Sequence, residues 1–121
     1  MKRDVDLIRL ILLEVEKNDN PVRSIQIDAE GYAPEEISYH VMLLQQAGYL
    51  TANDKSHLRG IAWEPKSLTW AGHEFLDATR NGKVWNQVKA KLKDHSIDAP
   101  LSVIQQVATK IVAQLLGLGG D

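Results

Sequence analysis

Cysteine is absent from this 121-residue chain, which excludes disulfides and thiolate metal sites. A chain of this length can hold a core without either. Aromatic residues are scarce, with three Trp, three Tyr and one Phe, so the core must be mainly aliphatic. No apolar run reaches the roughly 18 residues of a membrane span. Near the start, Asp4, Asp6 and Arg9 interrupt what would be the apolar region of a signal peptide, and export is not expected. The expectation is a cytoplasmic protein with no membrane partner. Catalytic motifs are missing as well. There is no His-Glu-x-x-His, no Gly-rich phosphate loop and no Gly-x-Ser-x-Gly. His40, His57, His73 and His95 are scattered without metal-ligand spacing. His73 and Glu74 are adjacent, so on a helix they point about 100° apart. Neither an enzyme, nor a cofactor, nor a metal is expected.

The charge that is present is uneven. Net charge is −2, but residues 1–50 hold five Lys or Arg against nine Asp or Glu. Residues 51–93 reverse this, with eight basic residues against four acidic ones. The basic middle offers an electrostatic footprint for phosphate. Its plainer meaning is a solvated helix face.

Hydrophobic spacing then gives the elements. Val5, Ile8, Leu12 and Val15, widened by Leu7 and Ile11, predict a first helix over 4–17. The turn-forming run Asn18-Asp19-Asn20-Pro21 ends it. Residues 24–28 alternate polar and apolar, as a short half-buried strand does. Pro34, with Glu35 and Glu36 behind it, opens a helix over 34–47 whose inner face is Ile37, Val41, Leu44 and Ala47. Gly48 suits a left-handed closure. Two strands are expected at 49–51 and 60–64, with Asn53-Asp54-Lys55-Ser56 as turn chemistry between them and Pro65 favouring an edge or bulge. Thr69 is an N-cap for a helix over 70–80. Further helices are expected over 83–94 and 100–116. The last is capped by Asp98 or Ala99 and ended by Gly117 and Gly119-Gly120. Trp63, Trp70 and Trp85 fall on predicted stripes and read as core.

A helix leading into a β-hairpin and then another helix is the pattern of a winged helix. The expected class is therefore α+β and mainly helical: a winged helix (helix-turn-helix with a β-wing) over 1–80, plus a C-terminal helical extension over 81–121. One departure is visible, because residues 29–33 leave room for only a turn where an ordinary winged helix has its second helix. With Ile37, Val41 and Leu44 inward, the outward side chains of the 34–47 helix are Glu36, Ser38, Tyr39, Met42, Leu43, Gln45 and Gln46. In helix-turn-helix proteins such positions enter the major groove. Ser38, Tyr39, Gln45 and Gln46 have the chemistry to bond bases or phosphates, and Lys55 and Arg59 on the wing could hold a DNA backbone. Against this, no Lys or Arg faces outward from the helix, and Glu35 and Glu36 would meet phosphates.

The alternative is a protein-binding or dimerisation module. Met42 and Leu43 are neighbouring apolar residues on the outward side, a feature commoner in protein contacts than in DNA contacts. The last helix is apolar on more than half its circumference, which makes Ile104, Ile111 and Leu115 candidates for a homodimer interface. Its plainer meaning is closure of the core of one chain. His40, beside the inner face, reads as a hydrogen-bonded, partly buried histidine rather than a base.

Three ordered blocks, MKRDVDLIRLILLEVE, ISYHVMLLQQAGYL and LTWAGHEFLDATRNGKVWNQVKAKL, resemble a family of small bacterial and prophage proteins known as a domain of unknown function with a predicted winged-helix-like fold. The resemblance covers nearly the whole chain. It implies a bacterial, often phage-associated setting and carries over no catalytic residue. In the general winged-helix pattern, positions matching Ser38, Tyr39, Met42 and Leu43 often hold polar or basic DNA-contacting residues. Met42 and Leu43 depart from it.

Overall fold

The computed structural model describes residues 1–118, and the expected stop at Gly119-Gly120 lies outside them. Among those residues are five helices and a two-stranded antiparallel sheet. The elements run α1 (Val5–Glu16), α2 (Pro34–Gln46), β1 (Leu50–Asp54), β2 (Trp63–Leu68), α3 (Trp70–Thr79), α4 (Gly82–Asp94) and α5 (Leu101–Leu115). The α+β, mainly helical expectation holds. The chain divides into two compact units, Met1–Glu74 and a second beginning at Phe75.

In the first unit α1 starts where expected. The Asp4 side chain accepts from the Leu7 N–H at 3.1 Å and satisfies a donor that the first turn leaves open. Leu7, Ile8, Ile11, Leu12 and Val15 are buried on its inner face, and α1 packs on α2 and β2. At the other end of α1, Asn18 does more than make a turn. Its side-chain amide donates to the Arg23 carbonyl at 2.8 Å and to the Lys66 carbonyl at 2.7 Å.

Lys66 is the residue of a β-bulge: Thr51 pairs with Ser67 and Ala52 pairs with Pro65, so Lys66 has no opposite number. Proline cannot donate to the ladder, and the bulge places it where β2 continues regardless. The returning strand is thus not interrupted at residues 64–66, as the sequence suggested, but runs to Leu68. The strand expected at 24–28 does not form. That segment has no regular structure and makes a single ladder-like bond, Ile25 N–H to the Pro65 carbonyl at 2.9 Å.

α2 closes on Gly48 in the left-handed conformation (φ +83°). The Gly48 N–H donates to the Gln45 carbonyl and the Tyr49 N–H to the Leu44 carbonyl, at 3.1 and 2.9 Å, which is a Schellman closure. Thr69 caps α3 by accepting from the Gly72 N–H at 3.2 Å, and its hydroxyl donates to the Gly48 carbonyl.

In the second unit Phe75, Leu76, Val84, Trp85, Val88, Leu101, Ile104, Ala108 and Ile111 are buried, and α4 packs against α5. Asn81 caps α4, accepting from the Lys83 and Val84 N–H groups. For α5 the cap is Pro100, which makes no side-chain bond, so neither Asp98 nor Ala99 serves. Of the three tryptophans, Trp85 is core and Trp63 half-buried, but Trp70 is 81 % exposed. It stands at the first position of α3, ahead of the buried stripe.

Gly72 is required for a close approach, because a Cβ there would collide with the Tyr49 backbone carbonyl. Gly72→Ala should cost at least about 2 kcal/mol, an overpacking penalty with no flexible neighbour to yield. The urea midpoint of the variant measures this, and an unchanged midpoint would place α3 elsewhere.

Candidate functional site

The orientation of α2 determines which side chains a partner could touch. Ile37, Val41 and Leu44 point inward as expected, each at most 5 % exposed. His40 joins them and is fully buried. Its Nε2 accepts from the Asp4 N–H at 2.9 Å, and its Nδ1 lies 2.7 Å from the Glu36 carbonyl. A carbonyl only accepts, so Nδ1 carries the proton and Nε2 is the bare acceptor. Asp4 completes the cluster, with its second carboxylate oxygen accepting from the Tyr32 hydroxyl at 3.0 Å. The cluster fastens the start of α1, the segment before α2 and the second turn of α2 to one another. His40 is hydrogen-bonded, as expected, and more deeply buried than the partial burial expected.

Turning His40 and Ile37 inward leaves Glu35, Tyr39, Met42 and Gln46 along the opposite ridge, at spacings of three and four. Gln45 and Gln46 are exposed, whereas Tyr39, Met42 and Leu43 are half-buried. No Lys or Arg lies in α2. Ser38 belongs to the flank facing β2, where its hydroxyl accepts from the Trp63 N–H at 3.2 Å. Its expected place toward a groove is thereby corrected: the oxygen is engaged by the sheet.

The hairpin carries the other candidates. Lys55 pairs with Glu64 at 2.9 Å, so its ammonium is held by its own chain, against the expectation of a free phosphate clamp. The Ser24 hydroxyl also donates to Glu64 at 2.8 Å. Lys55 first, then Ser24, hold the Glu64 carboxyl below the usual range. Arg59 sits at the hairpin tip, exposed and without a carboxylate partner among the described residues. Beside it Leu58 is wholly exposed, at 107 %. In the sequence Leu58 has no periodic partner, and its one signal is an apolar residue set among turn-forming neighbours. At the base of the hairpin a cleft of about 250 Å³ opens between the 26–28 segment, α2 and β2.

The α5 candidates separate. Ile104 and Ile111 are 1 and 5 % exposed and belong to the core of the second unit. Their assignment to an intermolecular face is corrected, because the wide stripe is used within the chain. Leu115 is 62 % exposed, near the end of the helix. Among the described residues no group of three His, Asp or Glu is placed to hold a metal, and no helix is long and apolar enough to cross a membrane.

A small α+β, mainly helical chain with a helix, a hairpin and a following helix in succession is thus defined. The chain belongs to the family described as hypothetical protein (DUF2513), which matches residues 2–98 and so stops short of α5. It is 44 % identical over 117 residues to an uncharacterized protein of Haemophilus influenzae, covering 96 % of this chain and 99 % of that protein. No solved structure matches.

Burial, and then the hydrogen bond to Asp4 and the Asp4 charge, push the Tyr32 hydroxyl from 10.0 up to about 12. The folded chain therefore holds this proton more tightly than the unfolded one. The resulting stability is complete below pH 10.0 and is lost as pH rises toward about 12. Tyr32→Phe should flatten that alkaline decline, read as urea midpoint against pH. An unaltered slope would dissolve the cluster.

Proposed function

We propose that this protein is a non-enzymatic interaction module of winged-helix type, in which the outer face of α2 docks on another protein. The supporting observation is the composition of that face. Glu35, Tyr39, Met42, Leu43 and Gln46 put an aromatic and two apolar side chains beside a carboxylate and an amide, with no cation. The electrostatic part of phosphate binding comes from Lys and Arg. Protein contacts centre on buried aromatic and apolar anchors, with Tyr and Met enriched. Glu35 and Glu36 in the first turn favour a partner with basic residues beside its apolar ones. The winged-helix reading is supported by the order α2, hairpin, α3, with α2 in the place of the recognition helix. The irregular segment 18–33, with turns at residues 21–22 and 30–31, stands where the fold ordinarily has a helix. Lack of cysteine fits a cytoplasmic location, and the family resemblance supports a phage-associated setting.

The test begins with the intact protein as bait in its bacterial host, followed by titration of the purified partner. Met42→Lys with Leu43→Glu should weaken that titration by about tenfold or more, the loss of roughly 1.4 kcal/mol or more of contact energy. Equal affinity of the double variant would remove α2 from the interface.

A second reading, a DNA-binding regulator, is favoured by Arg59 at the hairpin tip, without a carboxylate partner among the described residues, and by the exposed side chains of Gln45 and Gln46 beside the half-buried Tyr39. Under it, Arg59→Ala with Lys55→Ala lowers affinity for duplexes of every sequence and flattens the salt dependence. A chain that binds no duplex at low salt contradicts this reading.

A further inference from the structure

The hairpin tip is built to present a side chain. His57 and Gly60 bond reciprocally, N–H to carbonyl, at 3.1 and 2.9 Å, which leaves Leu58 and Arg59 as the two residues of the turn. The Arg59 N–H donates to His57 Nδ1 at 3.1 Å. Below the turn, the Lys55 N–H donates to the Ala62 carbonyl at 2.7 Å, and the Ala62 N–H donates to the Ser56 hydroxyl at 3.0 Å. The Ser56 N–H in turn donates to Asp54 at 2.9 Å. Every arm of the loop is tied down, so ordering the tip on binding costs little. Yet the residue held out at its end is a fully exposed leucine, beside an arginine with no counter-ion among the described residues.

The cleft at the base of the hairpin has the complementary chemistry. Ile27, Ile37 and Trp63 are among its apolar walls, and Asp28 and Glu64 are its carboxylates. Glu64 is already engaged by Lys55, but Asp28 is exposed and makes no hydrogen bond or ion pair among the described residues. The cleft, at about 250 Å³, is smaller than the roughly 300 Å³ at which pockets for drug-sized ligands begin. A side chain or two suits it better than a free ligand. No basic residue lines it. Leu58 is wholly exposed and so does not enter the cleft of its own chain.

We propose that the hairpin tip of one copy seats in this cleft on a second copy, with Leu58 among its apolar walls and the Arg59 guanidinium on the Asp28 carboxylate. The cleft opens at the base of the hairpin that carries the tip, so two copies exchanging tips make a closed, two-fold pair. The contact is small, and the pair is correspondingly concentration-dependent. This inference is independent of the docking role of α2. The cleft lies on the Ser38 and Val41 flank of that helix, and the ridge carrying Tyr39 and Met42 is not consumed.

Sedimentation of the full chain up to millimolar concentration tests the pair. The intact chain should show a reversible dimer. Leu58→Asp, Arg59→Glu and Asp28→Arg should each raise its dissociation constant about tenfold or more. All three sites are exposed, and an amide spectrum confirms that each variant folds. The discriminating variant carries Arg59→Glu and Asp28→Arg together, which restores opposite charges across both contacts of a symmetric pair. It should dimerise to within a few-fold of the intact chain. Three outcomes overturn the inference: an intact chain that stays monomeric, a dimer indifferent to Leu58→Asp, or a double variant no better than its parents. A tip that serves some other protein gives the first of these.

Discussion

Rotation of α2 about its own axis decides what this molecule can present, and one buried imidazole limits that rotation. Three aliphatic side chains can tolerate a helix turned by some tens of degrees. A ring bonded at both nitrogens cannot. His40 Nε2 accepts from the Asp4 N–H on one side and its Nδ1–H donates to the Glu36 carbonyl on the other. Removal of either partner would leave a polar group without water in a closed core, at a cost of about 1–3 kcal/mol. Asp4 is in turn committed to Leu7 and Tyr32. The inner face of α2 is therefore a polar lock set within an aliphatic core. The outer ridge of Glu35, Tyr39, Met42 and Gln46 is its geometric consequence.

A second lock holds the sheet. Pro65 cannot donate to a ladder, yet β2 passes through it because the bulge at Lys66 absorbs the mismatch. Asn18 fills the resulting vacancy by bonding the Lys66 carbonyl from the end of α1. The hairpin base is thus anchored to the helical layer, and the tip extends from a fixed root. The molecule shows two faces of different chemistry: an uncharged-to-acidic helix ridge and a tip that ends in leucine and arginine.

The helices could be read in the sequence because their apolar residues recur at helical spacing and their ends carry recognisable chemistry. Asp4, Gly48 and Thr69 act at the boundaries where periodicity placed them. Elements set by pairing were less legible. Residues 24–28 alternate as a strand does, but a strand needs a partner, and Pro65 opposite offers a carbonyl and no N–H. The bulge that Pro65 favours is present, but the continuation of β2 beyond it to Leu68 depends on register, which one strand alone does not disclose. Trp70 read as core because a large aromatic on a helix usually is, although the first position of α3 precedes its buried face. Among the site residues, the outward ridge of α2 followed from the wheel. The engagement of Ser38 by β2, the capture of Lys55 by Glu64 and the packing of Ile104 and Ile111 within the second unit are all tertiary. Leu58 carried no periodic signal, since its isolation is a property of the turn that presents it.

The most direct measurement is the tautomeric state of the His40 ring in the intact protein, read from long-range proton–nitrogen couplings. A proton on Nδ1 and a bare, accepting Nε2 is the predicted result. A proton on Nε2 would break the bond from the Asp4 N–H, release α2 from its fixed rotation, and contradict the face assigned to it.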